Sequence, residues 1–426
     1  MARRHNYDRR TFLRHLAGGA AALGGVVAAR SAGAQDLTLE QLIEQTQRGE
    51  YGQGFDSASR TILMPKSTWP TLSPATVQLT QKAIERYDGI VAGGGWPTVP
   101  PSDRLRVGNR HPSVTALRQR LTTAGDLSSK AGTTDIFDSY VEAAVRRFQA
   151  RHGLTVDGIL REPTFQALNV PAAMRLSQLK TNLVRLRTMS GNLGHRFVVV
   201  NIPAAQVEAI EGGVAVSRHI AVVGKKDRPS PDIHSRIVEV NFNPYWTVPA
   251  SIVRLDLIPK MQAEPDYLTK NRIRIFDTRG GELTPAQINW YSEEATNYQF
   301  KQDPGDFNSL GSIRINFPSR DGVYMHDTPF KNLFGEDFRF HSSGCIRVQN
   351  VRELVAWLLT ETPNWSRQEI DNVIRGGDRR DARLPRPVPL HWVYVTAWAA
   401  PDGIVQFRED IYGRDSLGPA PAGKRG

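Results

Sequence analysis

The chain is poor in the features that would hold a fold together covalently or anchor it in a membrane. Among 426 residues there is one cysteine, Cys345, so no internal disulfide can form and stability has to come from buried cores. The composition, 40% hydrophobic and 23% charged, supplies those cores and excludes a wholly disordered chain. Acidic residues are the scarcer charge, 43 against 54 Lys and Arg, for a net +11. Residues 1–34 hold six arginines against the single acid Asp8, which leaves +6 for the remainder. That excess suits an acidic polymer such as a cell wall, an anionic surface or ordinary solubility, and no nucleic-acid motif accompanies it, so no nucleic-acid partner is expected. Beyond the N-terminus no apolar run is long enough to span a bilayer. The length predicts two to four units at roughly 150 residues per domain.

At the N-terminus, Asp8-Arg9-Arg10-Thr11-Phe12-Leu13-Arg14 precedes a weakly apolar, Ala/Gly-rich run over 16–29 and then Ala32-Gly33-Ala34. This resembles a twin-arginine export signal with an Ala-x-Ala cleavage site. It implies a signal peptide over 1–34, passage through the twin-arginine machinery, and a periplasmic, wall-associated protein. A lone thiol is a liability in such a compartment unless it is buried as a small hydrophobe or put to use.

Residues 35–101 read as a helical scaffold, with helical spacing in Leu79, Ala83, Ile84 and Tyr87 and a closing Gly93-Gly94-Gly95-Trp96-Pro97 stretch. Residues 105–170 form a second unit with apolar faces Val114/Leu117/Leu121 and Val141/Val145/Phe148. An Asp157-Gly158 turn follows, then a third helix opened by Pro163 and packed through Phe165 and Leu168. The strings VTALRQRL and VRRFQARHGLTVDGILREPTFQALN resemble the three-helix peptidoglycan-binding domain. After a basic helix near 176–189 the pattern turns to β: 197–202, 207–210, 214–220, 237–242, 313–317, 323–326, the alternation Trp392-Tyr394-Thr396-Trp398, and 404–407. Gly212-Gly213 supplies a two-residue hairpin turn. The polar stretch 262–306 is too long for a passive loop and is expected to be a lid. Asn350 with Glu353, and Ser366 with Glu369, read as capping boxes of two helices, the first beginning just beyond Cys345. Its dipole would favour a thiolate if it points at the sulfur. A flexible tail is expected over 416–426.

The chemistry concentrates in VYMHDTPFKNLFGEDFRFHSSGCIRVQN. A thiol at Cys345 and an imidazole at His326 are the parts of nucleophilic catalysis: the ring takes the thiol proton and later returns it to a leaving amine. The ring needs an orienter, either a backbone carbonyl near Asp327 or the Asp327 side chain. The Ser342-Ser343-Gly344-Cys345 turn can converge N–H groups on an oxyanion, with Gly344 avoiding a clash and Tyr324 adding a hydroxyl. Arg347 offers a fork for a substrate carboxylate, and Tyr245, Trp246 and Asn350 join it as candidate substrate contacts.

These residues resemble the YkuD-type L,D-transpeptidase family. Its pattern of His, spacer, Ser-His-Gly-Cys and Arg or Asn is met except at Ser343, where the family has histidine. The Ser-Ser-Gly-Cys-x-Arg form is similar to the long YcbB-like subclass that carries a peptidoglycan-binding domain. NPYWTVP, GDFNSLGSIRINFP and TAWAAPDGIVQFREDIYGRD resemble it as well. The resemblance implies a multidomain α+β chain with a β-rich catalytic domain over 195–415 and a capping insertion at 262–306. It implies a Cys345 thioester on a donor tetrapeptide, release of D-alanine, capture by an acceptor amine to give 3-3 cross-links, and inhibition by carbapenem-type β-lactams. No metal or other cofactor is called for. Alternatives are an L,D-carboxypeptidase or endopeptidase, a non-catalytic wall-binding scaffold, and a zinc site using His326, His341 and Cys345.

Overall fold

The computed structural model describes residues 68–415 except Asp103; the expected signal 1–34, residues 35–67 and the 416–426 tail lie outside the described residues. Helix α1 (Pro74–Ala92) starts where Ser73 accepts a hydrogen bond from the Thr76 N–H at 3.1 Å and Pro74 fills a position whose N–H would be unpaired anyway. Three helices follow: α2 (Ser113–Ala124), α3 (Ser139–Arg151) and α4 (Glu162–Leu168). Val114, Leu117, Leu121, Val141, Val145, Phe148, Phe165 and Leu168 meet in one core. Gln149 explains why the FQ and DG of this unit belong together. Its buried amide donates to Asp157 Oδ1 and the Ile159 carbonyl and accepts from the Asp157 and Gly158 N–H groups, while Gly158 takes φ +73°. Helix α5 (Ala172–Met189) then packs against α1.

The β-rich domain is a closed, twisted sheet. Its strands are β1 (Arg196–Asn201), β2 (Gln206–Glu211), β3 (Val214–Gly224) and β4 (Ile233–Phe242). The short strands β5 (Trp246–Thr247), β6 (Ile273–Phe276), β7 (Glu282–Leu283) and β8 (Gln299–Gln302) intervene before β9 (Ile313–Asn316), β10 (Met325–His326), β11 (Phe340–Ser342), β12 (Ile346–Val348) and β13 (Arg380–Val393). The order β3-β12-β10-β9-β4-β13-β1-β2 is closed by pairing of β2 with β3, and β11 adds to β3. Gly212 and Gly213, at φ +62° and +82°, make the two-residue β2–β3 turn. The interior is filled by inward residues such as Val198, Val240, Ile315, Met325 and Ile346. Helices α6 (Val351–Leu358) and α7 (Arg367–Gly376) add Val351, Leu354, Val355, Leu358, Ile370 and Val373 to that core.

Four expectations need correction. The last long strand runs Arg380–Val393 and stops before Trp398, which belongs to a separate hairpin, Ala397–Ala399 with Val405–Phe407. Pro385, Pro387 and Pro389 disguise it; a register shift between Arg383 and Val388 absorbs the first two. Strand β12 separates Cys345 from α6, so the sulfur does not sit at a helix start. Asn350 forms no capping box: it is left-handed at φ 50° and its side chain caps nothing, whereas Ser366 Oγ does accept from the Glu369 N–H at 3.1 Å. The inserted segment is a folded subdomain that begins before 262. Its core takes Val248, Val253, Leu257, Ile258 and Met261 together with Ile275, Trp290 and Phe300, and its sheet runs β5-β8-β6-β7. Trp246 packs against both this core and the barrel's.

Charged and stacked contacts lock the three-helix unit to the barrel side. Arg151 grips Asp126 at 2.6 and 2.7 Å and donates to the Val405 carbonyl at 3.3 Å; His152 stacks between Phe148 and Phe407. No helix among the described residues is long and apolar enough to cross a membrane. Because Arg151 is 7% and Asp126 5% exposed, Asp126→Ala leaves an uncompensated buried cation. Urea unfolding is expected to show a loss of about 3–5 kcal/mol, and the double variant Asp126→Ala/Arg151→Met to recover much of it.

Candidate active site

Three adjacent strands build the site on the outer face of the sheet. In the register of β9, β10 and β12, Arg314, His326 and Arg347 stand in one row, while the neighbouring row Ile315, Met325 and Ile346 points into the core. Strand alternation therefore puts Tyr324 and Cys345 on the same outer face as the first row. The Ile346 N–H donates to the Tyr324 carbonyl at 3.1 Å, which sets Cys345 beside Tyr324 and diagonal to His326. Tyr324 and His326 meet edge to face, centroids 5.7 Å apart, and the Arg314 guanidinium lies 4.4 Å from the Tyr324 ring centroid.

The imidazole is 5% exposed, and its Nδ1 faces the Asp327 main-chain oxygen. A carbonyl only accepts, so Nδ1 carries the proton and Nε2 keeps its lone pair. Of the two orienters anticipated at Asp327, the carbonyl fills the role. The carboxylate turns instead to the Ser312 N–H and Oγ, each at 3.1 Å, and to Lys331. Burial, then the Arg347 charge, pushes the His326 pKa down to about 3. Burial likewise pushes the Cys345 thiol up to about 11, against the pull of the Tyr324 main chain, Arg314 and Arg347. The resting pair is a neutral thiol and a neutral imidazole, which suits removal of the thiol proton by Nε2 as the sulfur attacks.

The turn that carries Cys345 is pinned from several sides. Ser342 Oγ donates to the Cys345 carbonyl at 2.6 Å and accepts from the Gly344 N–H at 3.2 Å; Ser230 Oγ donates to the Gly344 carbonyl at 2.8 Å. The Gly344 N–H is thus occupied, which corrects the idea that the whole turn converges on an oxyanion. The Cys345 N–H has no protein acceptor among the described residues. Tyr324 Oη accepts from Trp246 Nε1 at 3.0 Å and so retains its own proton to donate. Gly344 is required by its φ of +112° rather than by space, since an added Cβ would meet Val323 and Pro229 only at 3.4 and 3.6 Å.

The remaining candidates scatter. Ser343 is exposed and accepts from Arg228 at 3.0 Å, and Arg228 also pairs with Asp256 of the inserted subdomain, tying that subdomain to the turn that carries Cys345. Trp246 joins the site through Tyr324. Tyr245 does not: it lies under Lys301 and Arg379. Asn350 lines a cavity of about 920 Å³ with Asp327, Thr328 and Lys331, and neither Cys345 nor His326 lines it. His341 turns to Glu336 and the Phe338 carbonyl, away from a shared ligand set with Cys345. Arg314 and Arg228 went unremarked in the sequence. Arg314 occupies an outward place in the alternating Ile313-Arg314-Ile315-Asn316, and only strand pairing reveals that it faces His326.

Residues 195–366 match the family described as "L,D-transpeptidase catalytic domain", and residues 110–168 match "Putative peptidoglycan binding domain". A curated relative, "Putative L,D-transpeptidase" of Haemophilus influenzae, is 34% identical over 239 residues, covering 56% of this chain and 48% of the relative. The chain thus spans about half the length of that relative. The N-acetylmuramoyl-L-alanine amidase CwlM of Mycobacterium tuberculosis is 39% identical over 80 residues, 17% of this chain and 20% of that protein. Among solved structures, the L,D-transpeptidase of Xylanimonas cellulosilytica aligns at 15% identity and TM-score 0.23, covering 69% of this chain and 99% of that one. Residues 195–366 are thus similar to L,D-transpeptidase catalytic domains of the YkuD type, and residues 110–168, ahead of them, to the peptidoglycan-binding family.

Proposed function

We propose that the protein is a cysteine-dependent L,D-transpeptidase that forms 3-3 cross-links in peptidoglycan. The observation that carries this reading is the lone thiol, Cys345, set diagonal to a neutral imidazole with a fixed tautomer. His326 Nε2 takes the thiol proton while sulfur bonds to the carbonyl carbon of the third stem residue in a donor tetrapeptide. The tetrahedral oxyanion is met by the Cys345 N–H and the Tyr324 hydroxyl. The C–N bond then breaks, the imidazolium returns its proton to the departing D-alanine amine, and a thioester remains. An acceptor amine attacks that thioester and gives up its proton to His326, which reprotonates the sulfur.

Water as acceptor would make the same site a carboxypeptidase. The folded subdomain, linked through Arg228 to the nucleophile turn, favours the amine by shielding the thioester. The resemblance of the N-terminal sequence to a twin-arginine signal, and that of residues 110–168 to a peptidoglycan-binding domain, support a periplasmic, wall-associated enzyme. A carbapenem ring, an activated amide, is expected to acylate the same sulfur.

Incubation of the full chain with disaccharide tetrapeptide, followed by mass analysis, is expected to give muropeptide dimers and free D-alanine. Cys345→Ala should abolish both, and His326→Gln should slow acylation by about 10²–10⁴-fold. Dimers from the Cys345→Ala protein would refute the proposal. Alkylation by iodoacetamide tests the charge state. With the thiol at about 11, the rate should keep climbing above pH 9 and at pH 7 lie at least about tenfold below free cysteine, since the thiolate fraction falls further than its nucleophilicity rises. A plateau already reached by pH 7 would indicate a thiolate–imidazolium pair instead.

A further inference from the structure

Away from Cys345 and His326, a cavity of about 590 Å³ lies where the three-helix unit, helix α5 and the hairpin Ala397–Ala399/Val405–Phe407 come together. Leu154, Pro163, Ala167, Val170 and Met174 give it an apolar wall, and Phe407 adds an aromatic ring. Met174 is 62% exposed, a large apolar side chain outside any core. The volume lies in the range that encloses a ligand of one or two sugar rings.

Two buried polar side chains on these walls are only partly used. Arg175 is 7% exposed and spends two of its five N–H donors, on Gln178 Oε1 at 2.9 Å and on the Ala167 carbonyl at 3.4 Å. Its Nε–H has no partner among the described residues. His152, also 7% exposed, directs Nδ1 at the Phe148 carbonyl at 2.7 Å, so Nδ1 holds the proton and Nε2 keeps its lone pair. Burial, then the charges of Arg151 and Arg175, push the His152 pKa well below the usual histidine value, so the ring is neutral at pH 7. Both groups lie against Phe407: the imidazole stacks with centroids 5.5 Å apart, and the Arg175 guanidinium is 4.7 Å from the ring centre. A buried donor and a buried acceptor left unmatched each cost free energy, which a ligand carrying the complementary pair recovers.

That pair selects the ligand. An apolar wall, an N–H donor and a neutral acceptor match the methyl, the carbonyl oxygen and the N–H of an acetamido group. A carboxylate has no proton to give His152, and an ammonium cannot accept from Arg175. Glu409, Asp410 and Asp415 also line the cavity. Asp410 and Asp415 are engaged by Tyr394, Thr396 and Arg185, whereas Glu409 is exposed and pairs with no cation among the described residues. Such carboxylates accept from sugar hydroxyls and repel an acidic stem peptide.

We propose that this cleft is a saccharide site that holds a 2-acetamido sugar of a glycan strand. Arg175 donates to the acetamido oxygen, and His152 Nε2 accepts from the acetamido N–H. The site is composite: His152 to Ala167 belong to the segment similar to peptidoglycan-binding domains, while Arg175 and Phe407 come from α5 and the hairpin. A glycan held there is fixed relative to the barrel as well as to the three-helix unit, because Arg151 joins the two through the Val405 carbonyl. This rests on the wall-associated reading above and names the part of the wall that is gripped.

The test is calorimetric titration of the full chain, as Cys345→Ala so that no peptide is turned over, with tri-N-acetylchitotriose, cellotriose and free stem tetrapeptide. The acetylated trimer is expected to bind about 10- to 100-fold more tightly than cellotriose, and the tetrapeptide not to compete. His152→Phe keeps a ring in the stack and removes the acceptor. Met174→Glu places a charge on the apolar wall at an exposed first-turn position of α5, where an acid suits the helix. Each should weaken the acetylated trimer about fivefold or more. Equal affinity for the two trimers, competition by tetrapeptide, or undiminished binding by folded Met174→Glu protein would overturn the saccharide site. Carbapenem acylation of Cys345 is followed separately in proteins that retain the thiol and should be the same with and without Met174→Glu. Its absence, with trimer binding and the effects of the substitutions intact, would remove the acyl-transfer reading and still support the site.

Discussion

The hydrogen bond from His326 Nδ1 to the Asp327 carbonyl is the contact on which the site turns. It fixes the tautomer of a ring that burial and two arginines keep neutral, and so leaves Nε2 as a lone pair ready to accept a proton. The bond is only as firm as the chain at Asp327, whose carboxylate is anchored by Ser312 and Lys331. That anchor in turn needs Gly311: at φ +57° it is left-handed, and a Cβ there would lie 2.5 Å from the Asp327 carboxylate. A glycine fifteen positions upstream thus bears on the orientation of the His326 ring.

The barrel converts this local geometry into a working face. Strands β9, β10 and β12 bury isoleucine and methionine on one side and present Arg314, His326, Arg347, Tyr324 and Cys345 on the other, so the core that stabilises the fold also sets the spacing of the reactive groups. The thiol is costly to ionise there. Arg314 and Arg347 act on both groups in the same direction, disfavouring the charged imidazole and favouring the charged sulfur. The inserted subdomain touches this face through Trp246 and through Arg228, which joins Asp256 to Ser343. On another side, Thr155 of the three-helix unit bonds Asp337 in the loop leading into β11, giving that unit a contact with the segment that carries Cys345.

Much of this was legible in the sequence because it is local. The three-helix unit shows its heptad-like apolar spacing and its Asp157-Gly158 turn, and the Cys345 and His326 strings carry their own chemistry. What could not be read depended on pairing between distant strands. Arg314 looks like any outward residue of a half-buried strand until β9 is set beside β10. The strand Arg380–Val393 shows in the sequence only at Trp392, because its three prolines break the alternation and a bulge is invisible in one strand alone. Asn350 satisfied the letter pattern of a cap but adopts a left-handed turn, since β12 has to end and reverse before α6 can enter the core. The insertion begins earlier than 262 because Val248, Val253, Leu257, Ile258 and Met261 pack with Phe300 and Trp290, a grouping that only the folded cluster shows.

The central claim is that the resting base is a neutral, Nδ1-protonated imidazole held between two cations. Nitrogen-15 NMR of histidine-labelled protein, with the His326 signals assigned by their loss in His326→Gln, reads tautomer and charge together. The account predicts a protonated Nδ1 and an unprotonated Nε2 at pH 7, persisting until the pH falls toward 3. An imidazolium at pH 7, or a proton on Nε2 alone, would contradict it.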